Sequence, residues 1–294
     1  MQKIVPHLWF DTQAIEAAGF YTSLFDDSRI VSTSKMESTP SGTVESATII
    51  LSGQEFALLS AGPFFKFTPA LSFSVACGTK EEADRIWNVL REGGSELMPL
   101  GEYPFSERYG WLSDKYGLSW QIIYNGGKAV GQKITPSLMF TGAICGKAEE
   151  AARFYTSLFG GSSVGGILHY GPGEKPDHEG SLKHGSFTLE GQGFAAMDSA
   201  YDHGFSFNEA ISLMVFCANQ EEIDYYWSRL SAHPESEQCG WLKDRFGLSW
   251  QIVPRVLGEM MGDKDVAKAK RVQEAFLAMK KFDIAELERA FEGR

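Results

Sequence analysis

The densest set of groups that could move a proton lies in DSAYDHGFSFNEAIS, Asp198–Ser212, which brings Asp198, Asp202, His203, Asn208 and Glu209 into one short stretch. A histidine with Asp198 or Glu209 beside it can act as a general acid and base, or supply part of a metal's ligand set. The same residues also suit a solvated loop in which Asn208 and Glu209 set the start of the next strand. His7 is the other candidate. It alternates with Val5 and Trp9 on one face of Lys3–Phe10, where a histidine is either hydrogen-bonded structure or a catalytic or ligating group.

A third polar set recurs. GWLSDKYGLSWQII, Gly110–Ile123, returns as GWLKDRFGLSWQIV, Gly240–Val253. Asp114 and Gly117 occupy the first and last positions of a type I turn, where those residues are favoured. Beyond the turn, Leu118, Trp120 and Ile122 alternate with Ser119, Gln121 and Ile123, the period of a half-buried strand. Trp120 and Trp250 fall on the apolar face and belong to packing. Ser119 and Gln121, with Ser249 and Gln251 in the second copy, face an interior space, unless the carboxamides simply bond neighbouring backbone. Trp111 and Trp241 either line that space or pack beside it.

The elements around these residues are also duplicated. Lys3–Phe10 matches Lys133–Phe140, with Ser137 and Met139 in place of His7 and Trp9. Helices over Ala14–Phe25 and Ala148–Phe159 share FYTSLF. Strands are predicted near Ser28–Met36, Val44–Leu51, Phe56–Ser60 and Ala70–Ala76, and near Ser162–Leu168, Lys183–Leu189, Phe194–Asp198 and Ala210–Phe216. Thr79-Lys-Glu-Glu82 and Asn219-Gln-Glu-Glu222 each open a helix as a capping box. The first copy then has a strand-like ELMPLGEYPF that the shorter second copy lacks. GGSSVGG, Gly160–Gly166, follows a helix and has no Lys-Ser/Thr, so it reads as a turn and not as a phosphate loop. His169, His178 and His184 fall in or beside a glycine-proline loop. From Val256 the pattern turns helical, and Asp283-Ile-Ala-Glu286 opens a last helix; this tail should cover part of a domain or a subunit contact. The domains expected are 1–125, 131–255 and a helical tail, 256–294.

At 294 residues with a net charge of −11, the chain fits two globular domains and argues against a nucleic-acid partner. Its four cysteines lack metal-type spacing, and Cys77 and Cys217 occupy equivalent buried places. No signal-like or membrane-spanning run is visible, so a cytoplasmic location with no membrane partner is expected.

Taken together, IVPHLWFD at Ile4–Asp11, the two FYTSLF helices, FTPALSF at Phe67–Phe73 with FNEAISL at Phe207–Leu213, the two GLSWQI strands and the AFLAMKKFDIAELERAFEG tail resemble the vicinal oxygen chelate superfamily of glyoxalase I and bleomycin-resistance proteins. Within it they are most similar to the PhnB-like, 3-demethylubiquinone-9 3-methyltransferase-like branch. The resemblance implies an α+β fold of tandem glyoxalase-like domains, built of paired βαβββ modules that curl into incomplete barrels around a small-molecule cavity. It also implies a possible homodimer. Metal-using relatives hold a divalent ion with one side chain from each of four strands. The corresponding places here are His7 or Ser137, Leu58 or Met197–Asp198, Leu71–Ser72 or Ile211–Ser212, and Gln121 or Gln251. Neither copy supplies the three or four His or carboxylate ligands a hard cation wants, so no metal ligands are assigned and the cofactor stays open.

The expected function is small-molecule binding, by a glyoxalase-type enzyme acting on a small oxygenated metabolite with a degenerate or absent metal site. The alternatives are a non-catalytic binding protein of the bleomycin-resistance type and a methyltransferase. The candidate catalytic residues are His7, His203, Asp198 and Glu209. The candidate substrate-binding residues are Trp9, Trp111, Ser119, Gln121, Trp241, Ser249 and Gln251.

Overall fold

The computed structural model describes residues 2–39 and 42–294. The chain divides into two compact units, one of Leu8–Ile211 and a smaller one formed by the residues up to His7 with Ser212–Arg294. The strand β1 (Ile4–Phe10) therefore gives Ile4–His7 to the smaller unit and Leu8–Phe10 to the larger.

The larger unit holds α1 (Ala14–Leu24), β2 (Arg29–Thr39), β3 (Gly42–Leu51), β4 (Gln54–Ser60), β5 (Leu71–Cys77), α2 (Lys80–Arg91), β6 (Ser95–Tyr103), β7 (Ser106–Ser113) and β8 (Ser119–Tyr124). These belong to the first copy. From the second copy it holds β9 (Ile134–Phe140), α3 (Ala148–Leu158), β10 (Ser163–His169), β11 (Leu182–Leu189) and β12 (Gln192–Asp198). Eight strands form one sheet in the order β10-β11-β12-β9-β5-β8-β7-β6. The join between copies is β5 against β9, antiparallel, with Ser72 opposite Ser137. Half of each copy thus completes a single sheet within one chain. Helices α2 and α3 pack on one face of it, burying Phe73, Trp120, Ile122, Phe187 and Phe194. Each such side chain contributes about 1.5–3 kcal/mol.

The repeated hairpin owes its geometry to a buried aspartate. Asp114 Oδ1 accepts from the Tyr116 and Leu118 N–H groups at 2.9 and 3.0 Å, and Oδ2 from Trp120 Nε1 and the Tyr21 hydroxyl at 2.9 and 2.7 Å. The turn closes through Gly117 N–H on the Asp114 carbonyl, with Gly117 at φ +87°, a conformation glycine adopts without a Cβ penalty. Burial raises the Asp114 pKa although four donors pull it down.

The smaller unit holds β13 from Ser212 onward (the strand is Ile211–Cys217), α4 (Gln220–Leu230), β14 (Trp241–Lys243), β15 (Ser249–Pro254), α5 (Arg255–Met261), α6 (Val266–Ala278) and α7 (Ile284–Glu292). Its sheet order is β14-β15-β13-β1. Asp244 repeats the aspartate turn, accepting from Phe246 N, Leu248 N and Trp250 Nε1 at 2.8, 3.1 and 2.8 Å. Where the first copy has β6 beside its hairpin, the second has only a short helical turn, Pro234–Ser236. The tail takes that edge. Cys239 N donates to Met279 O at 2.8 Å and Gly240 N to Lys280 O at 2.7 Å, and Phe282 packs so closely that a Cβ on Gly240 would lie 2.4 Å from its ring. Asp283 caps α7 through Glu286 N–H, and Gly293 ends it in the left-handed region.

Two details differ from the sequence reading. The stretch Gly160–Gly166 turns only at its start, because Ser163 already opens β10; Gly165 lies against Ser186, whose Oγ would be 2.5 Å from an added Cβ. His169 and His184 lie in β10 and β11, leaving His178 in the connecting loop.

Candidate functional site

On the helix-free face of the larger unit's sheet, alternation places Ser72 and Ser74 of β5, Ser119 and Gln121 of β8, Ser137 of β9 and Tyr109 and Trp111 of β7. Gln121 is fixed at both ends of its amide. Its Nε2 donates to Ser72 Oγ at 2.7 Å, and its Oε1 accepts from the Tyr109 hydroxyl at 3.0 Å. Trp111 Nε1 donates to Ser119 Oγ at 2.8 Å. Ser72, Ser119 and Ser137 are buried. Met139 and Met197 pair on the same face and add adaptable apolar surface. Beyond Tyr109, Tyr103 and Phe105 extend an aromatic cluster; the Phe105 ring is 4.9 Å from that of Tyr109 and remains exposed. His184, on β11, shares this face by register; its side chain is exposed, and partial desolvation by its surroundings lowers its pKa below the ordinary histidine value. Burial raises the Tyr109 hydroxyl. Among these groups, His184 is the one imidazole, the side chain suited to act as a base.

The smaller unit presents the corresponding face with different occupants. The Phe216 N→Lys3 O bond sets a register that puts His7 opposite Ser212, while Ser212 lies beside Ser249 and Gln251 beside Trp241. Gln251 Nε2 donates to Ser212 Oγ at 2.9 Å, repeating the first copy's pair. The position of Tyr109 is Cys239 here, which offers no hydroxyl to Gln251. The His7 ring meets the Trp241 indole edge-on, with centroids 5.3 Å apart. His7 is 5% exposed, and its Nδ1 is buried without a hydrogen-bond partner, as is Ser249 Oγ. Desolvation pushes the His7 pKa down to about 3, so the imidazole is neutral across the physiological range.

The polar loop Asp198–Ser212 does something else. Asp198 points to the helix side of the sheet, where Oδ1 accepts from Gly146 N and Ala148 N at 2.7 and 3.1 Å and Oδ2 from Leu182 N at 2.9 Å. It holds the start of α3, as Ser60 holds Ala14 N at 2.8 Å at the start of α1. His203 Nε2 bonds Ser199 Oγ at 2.8 Å, and its ring packs 5.0 Å from Phe205. The structure therefore gives Asp198 and His203 separate partners. Asn208 Oδ1 accepts from Ala210 N and its Nδ2 donates to Lys66 O, both at 2.8 Å, with Glu209 half-buried in the same turn; Asn208 thus starts the next strand. Trp9 lies in an aromatic group of its own, donating to Gly62 O at 2.9 Å and packing on Phe64 and Phe65.

So Trp111, Ser119 and Gln121 come together in the larger unit, and His7, Trp241, Ser249 and Gln251 in the smaller. Tyr109 and His184 were missed, although Tyr109 sits two residues before Trp111 in an alternating strand. The metal of the superfamily's ion-binding members can be tested against these donors. The larger unit's face offers hydroxyls, a carboxamide, thioethers and the single imidazole of His184; the smaller unit's offers one imidazole among neutral groups. Among the described residues no three of His, Cys, Asp or Glu are grouped to hold a metal ion. The donor set does not fit a divalent cation. No helix among the described residues is long and apolar enough to cross a membrane.

The family described as 3-demethylubiquinone-9 3-methyltransferase matches residues 2–123 and again 132–253. The PhnB protein of Bacillus cereus is 47% identical over 42% of this chain and 99% of its own, with a TM-score of 0.40. Glyoxalase I of Zea mays, at 13% identity, covers 89% of this chain and 98% of its own with a TM-score of 0.51, a likeness of fold. None of the curated proteins matches.

Proposed function

We propose, from the premise that this chain belongs to the 3-demethylubiquinone-9 3-methyltransferase family, the PhnB-like branch of the vicinal oxygen chelate fold, that it binds a small, uncharged, oxygenated molecule on the larger unit's helix-free face without a resident divalent metal. One observation carries this reading: the Tyr109–Gln121–Ser72 chain, which fixes both ends of a carboxamide at one of the four places from which metal-using relatives hold their ion. A carboxamide bonded at both ends holds its shape and brings no charge for a cation. The hydroxyls of Ser72 and Ser137 can then donate to a ligand oxygen, while Trp111 and Met139 receive its apolar body.

The reading is tested by calorimetric titration of small carbonyl and hydroxyl compounds against the full chain and against Gln121→Leu. Loss of a charge-free hydrogen-bonded anchor should weaken binding about tenfold. Equal affinity in the variant would reject the site.

A second reading, turnover of the bound molecule, draws on His184, whose lowered pKa leaves it neutral and able to take a proton. Under that reading His184→Gln abolishes turnover while ligand affinity stays. Methyl transfer, which the family's description implies, requires heat on titration with S-adenosylmethionine.

A further inference from the structure

The smaller unit carries a set of hydrogen-bonding groups that the protein itself leaves open. His7 Nδ1 and Ser249 Oγ are both buried and have no partner. Such atoms are rare in folded proteins because each forfeits a bond it had in water. They lie in one cross-strand row, His7 on β1, Ser212 on β13 and Ser249 on β15, so their Cα atoms are about 10 Å apart at the usual strand spacing. Between them Ser212 is engaged by Gln251. In the next row Cys239 stands where Tyr109 donates to the first copy's glutamine, so the Gln251 carbonyl oxygen lacks a tyrosine donor from that position and faces the same row. The Trp241 indole lies against the imidazole, and Val5 and Met214 complete an apolar surround on the same face.

We infer that this face is a second binding site, chemically distinct from that of the larger unit, for a small uncharged molecule that presents a hydroxyl on an apolar, aromatic body. An imidazole and a serine hydroxyl can each donate or accept, whereas a carboxamide oxygen only accepts. A ligand hydroxyl does both and so satisfies any pairing among them. His7 is neutral and Ser212, Ser249 and Gln251 carry no charge, so these groups favour an uncharged ligand; Lys243 stands opposite Ser249 on the short edge strand β14 and is, among the described residues, the one cation beside the row. The inference rests on the smaller unit alone.

Phenol is the probe, with benzene as the comparator that keeps the ring and drops the hydroxyl. The full chain, labelled with 15N in histidine, is titrated with each to about 10 mM, a range that captures weak small-ligand binding. Saturable shifts of the His7 ring nitrogens with phenol, at least tenfold weaker with benzene, are expected. His7→Phe should weaken phenol binding tenfold or more, and Gln121→Leu should leave it unchanged. If His7→Phe does not fold by circular dichroism, His7→Gln, which keeps a hydrogen-bonding side chain, should fold and bind within a fewfold of the parent. Equal affinity for benzene and phenol overturns the proposal. So does an absence of saturation, which would leave a buried water as the partner of these atoms, or loss of phenol binding in Gln121→Leu, which would assign it to the other face.

Discussion

Gln121 and Gln251 occupy equivalent strands and make the same bond, Nε2 to a serine hydroxyl, yet the faces around them have diverged. In the larger unit every partner is present: Tyr109 closes the carboxamide, Trp111 bonds Ser119, and the position opposite Ser72 is a serine. In the smaller unit the opposite position is His7, the indole stands against its ring, and Ser249 loses the bond that Ser119 receives. The difference teaches how a duplicated scaffold separates stability from recognition. The turn aspartates are kept in both copies because the fold needs them. The faces change because a substitution there costs only a hydrogen bond, which a ligand can restore.

The shared part of the comparison is the most costly to break. Asp114→Ala strands the buried Tyr21 hydroxyl, Trp120 Nε1 and two backbone N–H groups, and should lower the unfolding free energy by about 3–5 kcal/mol. Asp244→Ala should cost a similar amount. Denaturant titrations measure both, and a loss below 1 kcal/mol in either would show that its copy is held together by something other than this turn.

The next effect separates the faces by pH. The folded pKa of His7, about 3, lies below the ordinary 6.5, so between those values the unfolded chain binds a proton that the folded chain does not. The neutral ring's contribution is therefore fully present above pH 6.5 and is lost as pH falls toward 3. His7→Ser, which copies Ser137, removes this dependence. Its stability relative to the parent should rise by about 1.4 kcal/mol per pH unit on acidification from 6.5. Subtracting the two curves cancels the acid titration of Asp114 and Asp198, both raised by burial. Parallel curves would mean that His7 is protonated in the fold.

Much of this scaffold was legible from residue order. The repeat, the Asp–Gly turn and the alternation of Trp120 with Gln121 follow from local rules, and each places a side chain on the correct face. What alternation does not carry is which strand lies next door. Strand β5 of the first copy meets β9 of the second because both present an edge after a helix crossover, and nothing local to either distinguishes that partner from β5's own first strand. The same limit left open which part the tail, expected to cover a domain or a subunit contact, would meet: residues Met279 and Lys280 take the edge of a missing strand through backbone bonds that any sequence could make. For the site, the serines and glutamines were visible as polar beats in apolar strands. The acids of Asp198–Ser212 looked more reactive than they are, because carboxylates that hold helix starts have the same composition as carboxylates that catalyse.

The smallest effect is also the sharpest discrimination between the two faces. Ser119 and Ser249 are matched by sequence and both buried, so any scale based on residue type gives their alanine variants the same cost. Their surroundings predict opposite signs. Ser119→Ala removes the acceptor of Trp111 Nε1 and should destabilise by about 1 kcal/mol. Ser249→Ala removes a hydroxyl that has no partner, ending a desolvation cost, and should be neutral or stabilise by up to about 1 kcal/mol. Chevron or equilibrium denaturation of the two variants in parallel resolves this gap. Equal destabilisation would show that Ser249 finds a partner in solution, and the smaller unit's face would then be as closed as the larger one's.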